Sequence, residues 1–161
     1  AVAKLRTERD VDLVIVGRAK AGGAAALAID RLGLTGAVRF VTGVSEAELV
    51  RVFGSAQVGV VPSLYEGFSL PAIELMSCAT PLVATTAGAL PEVVGEAALT
   101  VPPGDAEALA MAIARVLDDD ELAASLGAAG RERVMARYTW SSVAEQTVRW
   151  YYDVLAARPA C

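Results

Sequence analysis

Two glutamates, Glu66 and Glu74, stand with seven residues between them inside the stretch PSLYEGFSLPAIELMSCATPLVATTAGALPEVV, Pro62 to Val94. Glu66 follows an apolar run and a proline, the position of a loop leaving a buried strand. Gly67 permits backbone conformations closed to other residues and the close approach of a ligand. The amides of Phe68, Ser69 and Leu70 then lead into a helix, and free amides at a helix start bind phosphate. Glu74 lies about one turn in, on the face of Leu70 and Cys78. A carboxylate on an otherwise apolar helix needs a partner, because an unpaired buried charge is costly. Two carboxylates flanking an anion-binding helix end suit a ligand with phosphates in the middle and hydroxyls at both ends. A nucleotide sugar has that form, one Glu binding sugar hydroxyls and the other ribose hydroxyls.

The elements that must hold these groups follow from the pattern. Asp12–Val16 (DLVIV) is an almost continuous apolar run, as expected of a strand buried on both faces. Further strands are expected at Val38–Val41, Gln57–Val61, Pro81–Ala84 and Ala98–Val101. Helical stretches alternate with them: Ala1–Arg9, Ala24–Leu34, a helix opened by the capping box Ser45-Glu46-Ala47-Glu48, one from about Leu70 to Cys78, and Leu90–Val94. Asp105 caps a helix to about Leu117, another covers Glu121–Arg137, and Thr139 or Ser141 starts a last one over 138–157. Alternation with short loops predicts an α/β fold, a doubly wound Rossmann-like parallel sheet. Ligands of such sheets sit beyond the carboxyl ends of the strands, here the loops at 17–23, 42–45, 62–70 and 85–89.

The words PSxYEGFxLPxIE, PLVATTAGALPEVVG, VRFVTGVSEAELVRVF, PPGDAEALAMAIARVLDD and YTWSSVAEQTVRWYYDVL, from about Asp12 to Leu155, resemble the C-terminal, donor-binding domain of retaining GT-B glycosyltransferases. The likeness is to the glycogen-synthase-like, family-four group with its E-x7-E motif. The resemblance implies transfer of a sugar from a nucleoside diphosphate sugar to an acceptor with retention of anomeric configuration. It implies that Glu66 contacts the donor sugar at the reaction centre and is the catalytic candidate. Gly67, Phe68, Ser69 and Leu70 face sugar and diphosphate, and Glu74 binds the ribose. The family often has glycine where Ser69 stands; serine fits if its φ is negative. Phe40, Val41 and Thr42 resemble the region bordering the base. The family's G-R-x-x-x-K-G phosphate clamp has no counterpart in this sequence, and Arg18 and Lys20 in GRAKAGG are the candidate substitutes. The domain's first strand is missing as well. In the order 3-2-1-4-5-6 it is the central one, so Leu13–Val16 and Val58–Val61 lose their shared neighbour. Either the sheet closes up, a partner supplies a strand, or the chain alone is poorly stable. The terminal helix would cross toward an N-terminal domain that supplies acceptor contacts, the acceptor being a glycan, a lipid or a small molecule.

Length and composition bound these readings. The 161 residues suffice for one domain, and with 55% hydrophobic and 20% charged residues the chain is not disordered. A net charge of −5 lacks the basic footprint of nucleic-acid binding. No apolar run approaches the ~20 residues needed to span a membrane, and from the polar opening AVAKLRTERD no signal peptide is expected. Peripheral attachment of a longer parent to the cytoplasmic membrane face stays open. Cys78 and Cys161 have neither disulfide nor metal spacing, so a reducing, cytoplasmic setting is expected. With no histidine, His-based triads, His metal sites and a His base are excluded, and neither metal nor cofactor is expected. The chain opens at Ala1 in what reads as mid-helix, so a piece of a larger protein is expected. Thr85, Thr86 and Gly88 are either donor contacts or a plain loop. Glu92 reads as structural, holding neighbouring loops. Asp118-Asp119-Asp120 reads as helix starts rather than a metal site, Cys78 as a small core residue, and Trp140, Trp150, Tyr151 and Tyr152 as packing rather than a base-stacking platform, with partial exposure expected where the last helix would cross toward the other domain. Two alternatives remain: a nucleotide-binding module without catalysis, or an unrelated doubly wound nucleotide-sugar enzyme. The latter would want a G-x-G-x-x-G after its first strand, which GRAKAGG does not supply.

Overall fold

A computed structural model describes residues 1–18 and 20–157, so Cys161 lies outside the described residues. The element order is α1 (Val2–Leu5), β1 (Leu13–Val16), α2 (Ala24–Arg31), β2 (Val38–Val41), α3 (Glu46–Gly54), β3 (Gly59–Val61), α4 (Leu70–Ser77) and β4 (Leu82–Thr85). Then come α5 (Leu90–Val94), β5 (Leu99–Val101), α6 (Ala106–Asp118), α7 (Asp120–Arg137) and α8 (Trp140–Ala156). The expected alternation is present, with α1 much shorter than the helical stretch expected from its composition.

Helix starts follow the capping chemistry of the sequence. Ser45 and Glu48 form the reciprocal box, with the Ser45 amide donating to Glu48 Oε2 at 2.8 Å. Those bonds from Ser45 hold the Glu48 carboxyl below its ordinary value. Asp105 caps α6, accepting from the amides of Glu107 and Ala108, and Thr139 caps α8. The acidic run is divided between two tasks: Asp119 accepts from the Leu122 amide to start α7, and Asp118 accepts both terminal nitrogens of Arg9 at 2.6 and 2.9 Å. The Arg9 hydrogen bond lowers the Asp118 pKa. With the Lys4–Glu107 ion pair, it ties the chain around α1 to α6.

All strand pairs are parallel, in two ladders: β1 with β2, and β3-β4-β5. β4 lies between β3 and β5, with Val60 opposite Val83 and Ala84 opposite Thr100. Every residue of β4 is buried. Leu82 and Ala84 enter the apolar cluster that holds Leu75, Met76, Leu90, Val94 and Val134. Val83 enters the other cluster, with Leu5, Ile113, Val116 and Leu126. Alternate side chains of one strand thus serve opposite faces, the signature of helices on both sides of a parallel sheet. Small residues set the spacing: a Cβ at Gly59 would come 2.9 Å from the Leu75 side chain, and one at Gly127 would come 2.3 Å from the Ala79 carbonyl oxygen.

The first strand reads differently from its sequence. β1 is half-buried and Val16 is exposed, so the expectation of burial on both faces is overturned there. The physical reason is its position: among the described residues it pairs with β2 alone, and α2 has no buried residue with which to cover it. Nor does the sheet close up between Leu13–Val16 and Val58–Val61, because no ladder joins β1 to β3. The terminal aromatics are left exposed by this chain. α8 has no buried residue, and Trp140 is 91% exposed, with Trp150, Tyr151 and Tyr152 also exposed.

Candidate functional site

The chain leaves β3 at Val61 and turns through residues 62–69 into α4, and this turn is fastened to the end of β4. Thr85, 2% exposed, donates through Oγ1 to the Ser63 carbonyl at 2.6 Å. Ser63 Oγ in turn donates to Glu66 Oε2 at 2.9 Å. On the backbone, the Ala89 amide donates to the Glu66 carbonyl at 2.9 Å. Gly88 lies at φ 56°, and a Cβ there would stand 2.2 Å from that same carbonyl oxygen. Only glycine lets the two loops meet so closely. Half-buried Glu66 is therefore fixed at both its carboxylate and its backbone.

The residue that needs backbone freedom in this turn is not the expected one. Gly67 is absent from the positive-φ glycines, and a Cβ there would meet open space. Ser69 instead takes the left-handed conformation, φ 83° and ψ 76°, against the expectation of a negative φ. It is buried, and its Oγ accepts from the Ala72 amide at 3.4 Å, so it caps α4 while turning the chain. A non-glycine in that region costs on the order of 1 kcal/mol. The position that the resemblance associates with glycine is thus the strained one. Among the described residues, the amides of Phe68, Ser69 and Leu70 donate to no protein acceptor. They form an open set of donors at the start of α4.

Phe68 meets Tyr138 edge to face, with centroids 5.9 Å apart at 77°. Tyr138 OH donates to the Val93 carbonyl at 3.3 Å, and Arg133 Nη2 donates to the Glu92 carbonyl at 2.6 Å. The neighbouring elements are therefore held through the Glu92 and Val93 carbonyls. The Glu92 carboxylate is exposed and has no partner among the described residues, which corrects its expected role. Glu74 is exposed on α4 beside buried Leu75 and Met76. Its carboxylate points away from the apolar side and needs no buried partner, so the expected pairing does not arise. Cys78 is half-buried against the main apolar cluster.

The other candidates lie on the separate β1-β2 ladder. Arg18 and Lys20 are exposed in the loop after β1, where the Gly23 amide donates to the Lys20 carbonyl. Phe40 and Val41 end β2 half-buried, and Thr42 is exposed. No hydrogen bond or ion pair joins these residues to the 62–70 turn among the described residues. Thr86 is exposed, with its amide donating to the Val101 carbonyl. Sequence reading missed two contributors, Ser63 and Tyr138. A hydroxyl three residues before Glu66 was the available signal for Ser63; nothing in the sequence pairs Tyr138 with Phe68. Among the described residues, no helix is long and apolar enough to cross a membrane.

Known proteins resemble this chain in sequence and fold. The family model described as "Glycosyl transferases group 1" matches residues 1–119. The MMP alpha-(1->4)-mannosyltransferase of Mycolicibacterium hassiacum is 45% identical over 164 aligned positions, which cover all of this chain and 40% of that protein. Sucrose-phosphate synthase from Thermosynechococcus elongatus superposes with a TM-score of 0.82 at 36% identity, over 98% of this chain and 41% of that one. An Anabaena protein crystallised with UDP-glucose shares the fold at 21% identity and a TM-score of 0.80, over 94% of this chain and 43% of its own. The chain thus spans about 40% of the length of the relatives it matches. Parallel strands wound on both faces and likeness along the whole chain have one common source: the chain belongs to the group 1 glycosyl transferases, with the α/β architecture of a GT-B C-terminal domain.

Proposed function

We propose that this chain supplies the donor-binding half of an enzyme that moves a sugar from a nucleoside diphosphate sugar to an acceptor with retention at the anomeric carbon. The observation that carries the reading is the fixed carboxylate of Glu66 beside the open amides of Phe68, Ser69 and Leu70, with exposed Glu74 one turn into α4. Glu66 meets the donor sugar, the amides meet sugar and diphosphate, and Glu74 accepts from the ribose hydroxyls. As the glycosidic bond breaks, charge gathers on the β-phosphate, where amides already aimed at it stabilise the transition state. Arg18 and Lys20 add positive charge if the β1-β2 ladder brings them to the phosphates, and Phe40, Val41 and Thr42 then border the base. With that charge met by amides and cations, the step needs no metal. The acceptor, whether glycan, lipid or small molecule, is met by a second domain.

The mannosyltransferase likeness along the full chain supports a mannosyl nucleotide as the first donor to try, within a panel of nucleotide sugars. In the active protein, Glu66→Ala should lower kcat about 100-fold or more while nucleotide affinity stays within about twofold, the pattern of an interaction made only in the transition state. Glu74→Ala should weaken nucleotide binding about tenfold, the scale of one charge-assisted hydrogen bond. Calorimetry finding unchanged affinity in Glu74→Ala would remove its ribose role. Proton NMR of the first-formed product reads the anomeric outcome, and inversion would overturn the retaining mechanism. A span of 40% of the relative's length favours a second reading for these 161 residues alone, as a nucleotide-binding module without turnover. Robust transfer by the isolated chain would sink that second reading.

A further inference from the structure

The hydrogen bonds behind Glu66 carry a further role, which rests on the functional reading above. Thr85 Oγ1 donates to the Ser63 carbonyl at 2.6 Å, and Ser63 Oγ donates to Glu66 Oε2 at 2.9 Å. Thr85 is buried at the end of β4, the strand whose side chains serve both apolar clusters, so the relay starts from a strand buried along its whole length. The backbone of Glu66 is separately fastened by the Ala89 amide, across the close approach that Gly88 permits. Two fastenings do different work. The Ala89 bond sets where the Glu66 main chain sits, but leaves its side-chain torsions free. Only Ser63 touches the carboxylate, and it occupies Oε2 alone, leaving Oε1 without a protein partner among the described residues. A carboxylate with one oxygen committed and one open has a single preferred orientation toward an incoming hydroxyl.

We propose that Ser63 is a positioning residue: anchored by Thr85, it orients the Glu66 carboxylate so that Oε1 is presented to the donor sugar. Ser63 itself touches no substrate; its effect passes through Glu66. An orienting bond of this kind pre-organises the reacting geometry rather than adding ground-state affinity.

The experiment is a kinetic cycle in the active protein that carries this domain, with the nucleotide sugar that best supports transfer. Ser63→Ala should lower kcat about tenfold with the donor KM and nucleotide Kd within about twofold, because one hydrogen bond to a charged group is lost and no binding contact is removed. Ser63→Thr, which keeps the hydroxyl, should recover most of that loss. Thr85→Val, which breaks the relay one step further back, should lower kcat in the same direction. The deciding variant is Ser63→Ala combined with Glu66→Ala: it should be no slower than Glu66→Ala alone by more than about twofold, since a residue acting through the Glu66 carboxylate has nothing left to act on. A further tenfold fall in the double variant would overturn the proposal, as would an unchanged kcat in Ser63→Ala. Thermal melts within a few degrees of wild type separate loss of orientation from loss of fold, and Ser63→Ala, at a half-buried loop position, is the variant least exposed to misfolding. If the wild-type protein transfers no sugar from any nucleotide sugar, the functional reading falls and takes this role with it. If it transfers sugar but the two losses add, only the positioning role falls.

Discussion

Ser69 concentrates the conflict between local preference and site geometry. Its φ of 83° is unfavourable for serine, yet its Oγ caps α4 from the same position. Glycine would relieve on the order of 1 kcal/mol of backbone strain. It would give back a few tenths through the weaker cap and about 0.7 kcal/mol through the greater freedom of the unfolded chain. Those terms nearly cancel, so Ser69→Gly should change stability by less than about 0.5 kcal/mol. Ser69→Ala keeps the strain and loses the cap, and should destabilise by about 0.5–1 kcal/mol. Urea unfolding of the two variants checks the order, and a strongly destabilised glycine variant would show that the left-handed turn is not where the cost lies. Gly67 carries no such constraint. Its value to the site is the open space on its Cβ side, beside the free amides.

Among the elements, α4 matters most, because it carries the amide set at one end and Glu74 one turn later. Its seat is set by small residues beneath it. Gly127 of α7 approaches the Ala79 carbonyl, where a Cβ would stand at 2.3 Å from oxygen, whereas a Cβ at Gly130 would stand 3.2 Å from Cγ and 3.3 Å from Cβ of buried Met76. Each Gly→Ala change in a helix gains about 1 kcal/mol of propensity. At Gly130 the inner part of Met76 need shift by only a few tenths of an ångström, a cost that offsets the propensity gain, so Gly130→Ala should be close to neutral. At Gly127 a backbone carbonyl cannot, and overpacking of about 2–3 kcal/mol outweighs the gain. Gly127→Ala should therefore lower stability by about 1–2 kcal/mol net. Thermal or urea unfolding of the pair decides it, and equal effects at both positions would mean that α7 shifts as a body instead of clashing locally.

Across the whole molecule, stability is unevenly spread. The β3-β4-β5 ladder is packed on both faces, while β1-β2 stands apart, with half-buried strands and a helix that buries nothing. Apolar burial drives folding, at roughly 25 cal/mol per Å² of apolar surface removed from water, so the two ladders cannot be equally protected. Amide hydrogen exchange should show β4 among the slowest-exchanging segments and β1 and β2 exchanging at least about 100-fold faster. Equal protection would mean that the ladders unfold together. The same unevenness bears on the proposed function, in which Arg18, Lys20, Phe40, Val41 and Thr42 all ride on the less protected ladder. α8, with Trp140 and Trp150 exposed, is a second region where apolar surface is left uncovered by this chain.

The sequence by itself determined the order of strands and helices, the caps at Ser45 and Asp105, helix starts in the acidic run and at Thr139 or Ser141, and the stretch that holds Glu66 and Glu74. These depend on contacts a few residues apart, and short-range chemistry is written in neighbouring letters. Only the tertiary structure decided the rest. It separated β1 from β3, left β1 half-exposed despite its apolar run, and exposed Glu74 where a buried partner was expected. It moved the left-handed turn from Gly67 to Ser69 and brought Thr85 to Ser63, twenty-two positions away in the chain. Apolar runs record that a segment can be buried, not what arrives to bury it. A hydrogen bond between distant strands exists only once the sheet has set their register.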